Sequence, residues 1–450
     1  MPERLRESAA RLVGMICCSL LTVSLAGTVN MAWAGNRPGG RPPLPDPLTL
    51  TEALSYADAP NPGLDLVRAD LGSALAGVLE AASNTGLRSY LYITPQWVDS
   101  STDFSGGMVD DSSAQLILTK RLYDFGQTRA LTDSAKAAVS AQRRLYFDAR
   151  QERRLEIIKR FFDVLLADAR YAFDSEETAY NYVSFDKARY RHRLGRISDV
   201  DLLAYEDRYR QALVRRTRSQ AAQRLTRAQL AVALNHPGDL PENLVRPDLP
   251  QLDRPVPDYR KVLQMAFEAN PVVLSLRDQV RSATEKLAAA ERLSRPFLEG
   301  ELEAAVWKRE FNGRNDARAT LNLYVPIYQG GVVRASVARA RAEILRAEAR
   351  LENARQELST TLLDLVEQVN SLKVARKAAR VRSAYRELYA DRSRSMYNLE
   401  IRTDLGDAMA RLTEAQWQAA KVDYELALTW ARIDALTGRI IAASPEKTIR

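Results

Sequence analysis

The chain has 450 residues, 46% of them hydrophobic and 27% charged, so it can bury a large core and is not disordered by composition. Two cysteines and two histidines exclude a disulfide framework and a Cys/His zinc site. A net charge of +8 alone selects no partner, and neither a basic patch interleaved with stacking aromatics nor a nucleic-acid module accompanies it.

The amino terminus reads as an address. Arg4, Arg6 and Arg11 form a basic leader, an apolar stretch runs from Leu12 to Gly27, and Ala32-Trp33-Ala34 is a small-x-small cleavage site. Residues 1–34 are therefore expected to be a signal peptide. The apolar core is short for a membrane anchor, which needs about 20 residues. Cleavage after Ala34 removes Cys17 and Cys18, leaving no thiol. No later segment is apolar enough for a membrane helix, so a mature chain that crosses a membrane has to do so as β-structure.

A proline-rich lead-in, 35–47, precedes a first repeat, 48–235. That repeat is expected to hold a helix at Leu64–Asn84, alternating segments at Ser89–Asp99 and Ala114–Tyr123, a long helix from Gln127 to about Leu194, a break, and a second helix. Prolines at 237, 241, 247, 250, 255 and 257 make 236–258 an extended crossover linker, because proline is excluded from helix interiors and central strands. The second repeat, 259–438, has the same order: a helix at Val272–Ser294, strands at Phe297–Trp307 and Ala317–Ile327 with a turn at Phe311-Asn312-Gly313-Arg314, a long helix from Gly331 to about Arg394, and a final helix. Residues 439–450 form a tail.

Two motifs recur at one spacing. Tyr123-Asp124-Phe125-Gly126-Gln127-Thr128-Arg129-Ala130 returns 205 residues later as Tyr328-Gln329-Gly330-Gly331-Val332-Val333-Arg334-Ala335. Leu194-Gly195-Arg196-Ile197-Ser198-Asp199-Val200 returns at the same distance as Leu399-Glu400-Ile401-Arg402-Thr403-Asp404-Leu405. Asn61-Pro62 matches Asn270-Pro271 at 209. A shared spacing marks an internal duplication.

The long helices carry heptads. Val337, Ile344, Leu351, Leu358, Leu365, Leu372 and Ala379 fall seven apart, with Ala340, Ala347, Ala354, Thr361, Gln368 and Ala375 three residues on. One large and one small seam position suits close-packed coiled-coil helices. Leu362, Leu363, Val366 and Val369 supply a second seam. At 1.5 Å per residue the second-half helix is roughly 95 Å long.

The strands alternate with period two. Leu298, Gly300, Leu302, Ala304 and Val306 share one face and Glu299, Glu301 and Glu303 the other; Ala319, Leu321, Leu323, Val325 and Ile327 oppose Arg318, Thr320, Asn322 and Tyr324. Strands of about ten residues with one apolar and one charged face fit a transmembrane barrel with a wet lumen. Tyr90, Tyr92, Trp97, Tyr123, Trp307, Tyr324 and Tyr328 suit an interfacial aromatic belt. The charged lumen is assigned to Glu299, Glu301, Glu303 and Arg318. Four strands do not close a barrel, so a membrane reading requires closure between chains. The competing reading is a periplasmic coiled-coil scaffold or adaptor with half-buried hairpins.

Together these segments resemble the TolC-type outer-membrane efflux and type I secretion channel family. Leu321-Asn322-Leu323-Tyr324-Val325-Pro326-Ile327-Tyr328-Gln329-Gly330-Gly331 running into an alanine-rich coiled coil, its echo at Leu116–Gly126, and the break Gly195–Leu203 carry the resemblance, which spans Leu48 to Gly438. It implies a mixed α/β membrane protein: a homotrimer whose chains each give four strands to a twelve-stranded transmembrane β-barrel, continued by a long α-helical coiled-coil barrel. It implies a passive duct, with a periplasmic adaptor and an inner-membrane transporter as partners, in the outer membrane of a Gram-negative cell.

The resemblance also assigns residues. Gly126, Pro326, Gly330 and Gly331 mark the strand-to-helix junctions. Gly195, Ser198, Asp199, Asp201 and Thr403 form adaptor-contact tips; the plain reading of the same residues is helix capping. Asp404 and Asp407 match the family's constricting carboxylates, with Arg402 and Tyr397 as latch, although Glu400 stands where the family has glycine. His192 and His236 are read as isolated, and no cofactor, metal site or catalytic constellation is expected.

Overall fold

The computed structural model describes residues 43–99, 108–308, 315–401 and 404–439. The leader, the Phe311–Arg314 turn, Arg402, Thr403 and residues 440–450 lie outside the described residues.

The helices are α1 (Leu50–Ser55), α2 (Pro62–Ser83), α3 (Gln127–Arg193), α4 (Asp199–Ala233), α5 (Tyr259–Ala269), α6 (Pro271–Glu291), α7 (Val332–Asn398) and α8 (Leu405–Leu436). The strands are β1 (Leu87–Thr94), β2 (Trp97–Asp99), β3 (Met108–Asp110), β4 (Ser113–Tyr123), β5 (Phe297–Trp307) and β6 (Ala317–Tyr324). α3 and α7 each have 67 residues and begin and end 205 positions apart. The expected helix, strands, long helix and second helix occur in that order in each half, preceded by the short α1 or α5. The expected strand Ser89–Asp99 is broken at Pro95, and its outer part pairs with β3 in a separate two-stranded ribbon. The strand expected to reach Ile327 stops at Tyr324, just before Pro326, which has no N–H for the ladder.

One compact unit comprises Ala76–Lys136 and Ala283–Glu343 and holds the strands. β1, β4, β5 and β6 pair antiparallel in that order, leaving β1 and β6 as edges. The register opposes Leu91 to Leu116, Leu118 to Leu302, and Gly300 to Leu321. Directly opposed residues share a face, so these side chains form one apolar surface. Leu87, Leu91, Ile93, Leu302, Val306, Leu321 and Leu323 are all more than half exposed on it.

The other unit comprises Pro42–Leu75, Ala137–Ser282 and Ile344–Arg450. Its core gathers Ile157, Phe161 and Phe162 of α3, Leu230 of α4, Leu362, Leu365 and Val369 of α7, and Tyr424, Leu426, Trp430 and Ile433 of α8. Side-chain contacts fix the order of the helices. α4 meets α3 through Arg227–Asp168 at 2.7 Å and the stack of Phe185 on Tyr209. α3 meets α8 through the stack of Phe162 on Tyr424 at 4.6 Å and Arg170 over the Trp417 ring at 4.7 Å. α8 meets α7 through Arg376–Asp423 and Arg382–Gln418, each at 2.8 Å. The sequence of contacts is α4–α3–α8–α7, with α4 and α7 at its ends.

The seam of α7 corrects the heptad reading. Leu358 and Leu365 are buried as expected, but beyond Leu358 the partners are Leu362 and Val369, both fully buried, rather than the exposed Thr361. Leu362, Val366 and Val369 therefore belong to this seam and not to a second one; Leu363 is exposed. Apolar bulk decides which neighbour turns inward.

The linker is more than extended chain. Val245 N–H donates to Leu48 C=O and Leu48 N–H to Asn243 C=O, tying the lead-in alongside it. A short 3-10 turn at Pro250–Asp253 is clamped to α7 by Arg376, which bonds Asp253 at 2.6 Å and Asp423 at 2.8 Å.

Candidate functional site

At the first strand-to-helix junction, Phe125 (φ 50) and Gly126 (φ 86) both take the left-handed conformation; at the second, Gly330 (φ 57) and Gly331 (φ 88) do so. Glycine reaches this region without strain and phenylalanine does not. Phe125 is held there by Tyr123, whose ring meets it edge-on at 4.7 Å. The Asp124 carboxylate accepts from Gly126 N–H at 3.1 Å and Thr128 N–H at 2.7 Å, capping α3. Burial pushes the Asp124 carboxyl up, but these bonds outweigh it and hold it below the usual range. Pro326 follows β6.

The polar strand face carries the expected lumen residues. Glu299 lies opposite Arg121, Glu301 opposite Thr119, and Arg318 opposite Glu303 in the register. The Arg318 guanidinium pairs with Glu303 and stands 3.8 Å from Glu301. Tyr90, Tyr92, Trp307 and Tyr324 share this face, since each opposes one of its members. That corrects the aromatic-belt expectation for these four, because a belt belongs on the apolar face.

The two helix tips close with the same bonds 205 residues apart. Arg196 N–H donates to Arg191 C=O (2.9 Å) and Gly195 N–H to His192 C=O (2.8 Å); Ile401 N–H donates to Met396 C=O and Glu400 N–H to Tyr397 C=O, both 3.0 Å. Both are Schellman ends with the left-handed residue at C′. Gly195 fills it at φ 67 and Glu400 at φ 59.

The helices leaving the tips differ. Ser198 and Asp201 form a capping box on α4, and its hydroxyl and N–H bonds lower the Asp201 pKa. Asp199 accepts His192 Nε2 at 2.6 Å across the turn. His192 is thus not isolated; nor is His236, whose ring packs edge-on against Tyr56 at 5.2 Å. In the second tip, Gly406 replaces the box carboxylate, and a Cβ there would stand 3.0 Å from the Tyr180 ring. Asp404 occupies the N-cap without a capping bond. Its Oδ2 instead accepts from Tyr389 Oη at 3.0 Å, and its Oδ1 is buried without a partner among the described residues. Asp407 is 3.6 Å from Arg411 and partly exposed. Tyr397 is exposed; its expected partner Arg402, and Thr403, lie outside the described residues. Sequence reasoning missed Tyr389 and Tyr180, which no periodicity singles out.

A sequence profile described as outer membrane efflux protein matches residues 53–236 and 262–439. The chain belongs to the outer membrane efflux protein family. Outer membrane protein TolC of Escherichia coli strain K12 is 23% identical to it over 445 residues, covering 94% of this chain and 86% of that one. Protein CyaE of Bordetella pertussis is 26% identical over 322 residues, covering 69% of this chain and 66% of its own. Among solved structures, the Campylobacter jejuni CmeC outer membrane channel matches with a TM-score of 0.71 at 12% identity, covering 90% of each chain. This member of the family is accordingly an outer-membrane channel protein of the efflux and secretion class and not an enzyme. Its fold is the mixed helical and sheet fold of these channels.

Proposed function

We propose that three copies of the chain close into one passive duct from periplasm to exterior. The observation that carries this reading is the matching pair of open ends. The sheet ends in the edge strands β1 and β6, and the helix order ends in α4 and α7. An unpaired strand edge facing lipid costs several kcal/mol for each unsatisfied backbone group. Pairing β6 of one chain with β1 of the next, and α7 with α4, removes every open end. Val374, Val381 and Leu388, seven residues apart and about 70% exposed on α7, supply an apolar stripe for that contact.

In this assembly the apolar strand face meets lipid, and Glu299, Glu301, Glu303 and Arg318 line the barrel lumen. The two repeats descend from one duplicated unit, and residues 1–34 are removed on export. An inner-membrane transporter and a periplasmic adaptor complete the system. The adaptor engages the tips around Gly195, Ser198, Asp199, Asp201 and Thr403.

The periplasmic gate is assigned to Asp404 and Asp407, with Tyr397 and Arg402 as latch. Asp407 is available to form a carboxylate ring, and Asp404 joins it when its bond to Tyr389 breaks. Planar-bilayer recording tests this. The expected result is a small conductance blocked by multivalent cations, with the block weakened at least tenfold by Asp407→Ala and further by Asp404→Ala. Unchanged block in the double variant contradicts the gate assignment.

A further inference from the structure

The two faces of the strand sheet treat charge differently. On the polar face Arg121 lies opposite Glu299 and Arg318 opposite Glu303, so cations and anions are neighbours. The apolar face draws on β1, β4, β5 and β6, and of the described residues that the register places there Lys120 alone is charged. Lys120 stands between Leu87 of β1 and Gly300 of β5, and Leu321 of β6 completes the row. It is exposed and has no ion-pair or hydrogen-bond partner for its ammonium among the described residues. Its row offers no polar side chain. Leu87 is itself exposed, and Gly300 has only a hydrogen, with Leu122 leaning over it: a Cβ there would stand 3.3 Å from Leu122 Cδ1.

The height of Lys120 on the strand is as particular as its face. Leu87 is the first residue of β1, so this row lies at the end of the sheet that adjoins the helices. In the next row toward the helices Tyr123 lies opposite Leu298, and Leu298 opposite Leu323; the register shift between Arg121 and Tyr123 turns the tyrosine onto the apolar face. Tyr123 is more than half exposed there. A tyrosine beside a lysine at the end of an apolar strand face is the pattern of a membrane–water boundary. The junction that follows adds cations. Arg292 donates to Gly126 C=O at 3.0 Å and Arg295 to Phe125 C=O at 3.4 Å, and neither has an ion-pair partner among the described residues. Asp124, the acid of that loop, is taken up in capping α3.

We propose that Lys120 binds the phosphate of an anionic phospholipid headgroup in the periplasmic leaflet of the outer membrane. The proposal rests on the reading of the apolar strand face as lipid-facing. A cation on such a face is costly at the bilayer midplane and nearly free at the interface. The ammonium therefore follows its apolar stem to the headgroup level, while the stem stays against Leu87 and Leu122. In that reading the helix end of the sheet points to the periplasm, so phosphates of the outer leaflet lie at the wrong end of β4. A lysine ammonium is a compact point charge with three donors, which suits one phosphate. A phosphatidylglycerol headgroup keeps its net negative charge; a choline headgroup carries a cation of its own that offsets the attraction.

Native mass spectrometry of the detergent-extracted particle tests this, with phosphatidylglycerol and phosphatidylcholine of the same acyl chains as probes. One lysine near a charged interface corresponds to about a fivefold preference, so the parent is expected to retain phosphatidylglycerol about fivefold more per chain. Lys120→Gln is expected to lose that preference and Lys120→Arg to keep it. A parent that retains both lipids equally, or a Lys120→Gln particle with its parent's preference, overturns the proposal. So does loss of the preference in excess inorganic phosphate, which would mark a site for the free anion. A second experiment places a nitroxide on Lys120→Cys, in a chain also carrying Cys17→Ser and Cys18→Ser, in vesicles of the same lipids. Its relative accessibility to oxygen and to a water-soluble nickel chelate is expected to put it at the phosphate level. A label at that level without the lipid preference overturns the site and leaves the lipid-facing reading intact. A label at the bilayer centre overturns the site, and one as accessible as in free water overturns both.

Discussion

α3 and α7 have the same length, the same kind of carboxy-terminal turn and the same position in their repeats, yet along its first six turns α3 is largely covered and α7 largely exposed. The difference is not one of helix propensity. Both segments are rich in alanine and arginine, and both form uninterrupted helices. What differs is company: Asp278 of α6 bonds Arg144 of α3, whereas on the matching face of α7 Ala342, Arg346 and Ala349 are exposed among the described residues. Covered alanines on one helix and exposed arginines on the other are two uses of one scaffold.

Substitutions that move residues across the repeat break or sharpen this comparison. The largest effect is expected from Ala141→Arg, which puts the residue found at 346 into a site only 2% exposed. An unpaired buried charge costs about 3–5 kcal/mol, so the melting temperature should fall sharply, whereas Arg346→Ala should leave the isolated chain's stability unchanged. Gly406→Val presses a branched side chain onto the Tyr180 ring and is expected to cost about 1–3 kcal/mol. Hydrogen exchange should quicken at the start of α8 and not at the start of α4.

Tyr389→Phe leaves Asp404 without its donor, a loss of about 1–2 kcal/mol, read as faster exchange at the second tip and a higher open probability in bilayers. Ser198→Ala removes the capping box and is expected to cost about 1 kcal/mol, confined to the first turn of α4.

A further effect is a pH dependence. Burial, with Glu152 nearby, pushes the Asp148 carboxyl up to about 6. A carboxyl raised in the folded state favours folding below its unfolded value, near 3.8, and loses that contribution as pH rises through about 6. Asp148→Asn, which copies Asn353 of α7, should therefore flatten the fall in stability between about pH 4 and 6; an unchanged pH profile contradicts this.

Much of the fold was legible because it rests on period and punctuation. Alternation located β4, β5 and β6, the glycines at 126, 330 and 331 located the junctions, and Leu194–Val200 with its repeat located the tips. What escaped rests on packing. Phe125 takes a conformation that its side chain disfavours, with Tyr123 packed against it. The α7 seam passes from Thr361 to Leu362 because a buried leucine gains more than a buried threonine. Tyr90 and Tyr92 face the polar side because strand register, not residue type, sets the face. The Tyr389–Asp404 bond joins residues brought together only by the turn between α7 and α8.

The most direct test of the central claim is the native mass of the detergent-extracted mature chain, determined alongside that of an Ala349→Arg, Val381→Asp double variant. Closure by other copies predicts a three-chain particle for the parent and a smaller one for the variant. A parent chain that stays monomeric, or remains in solution without detergent, would contradict it.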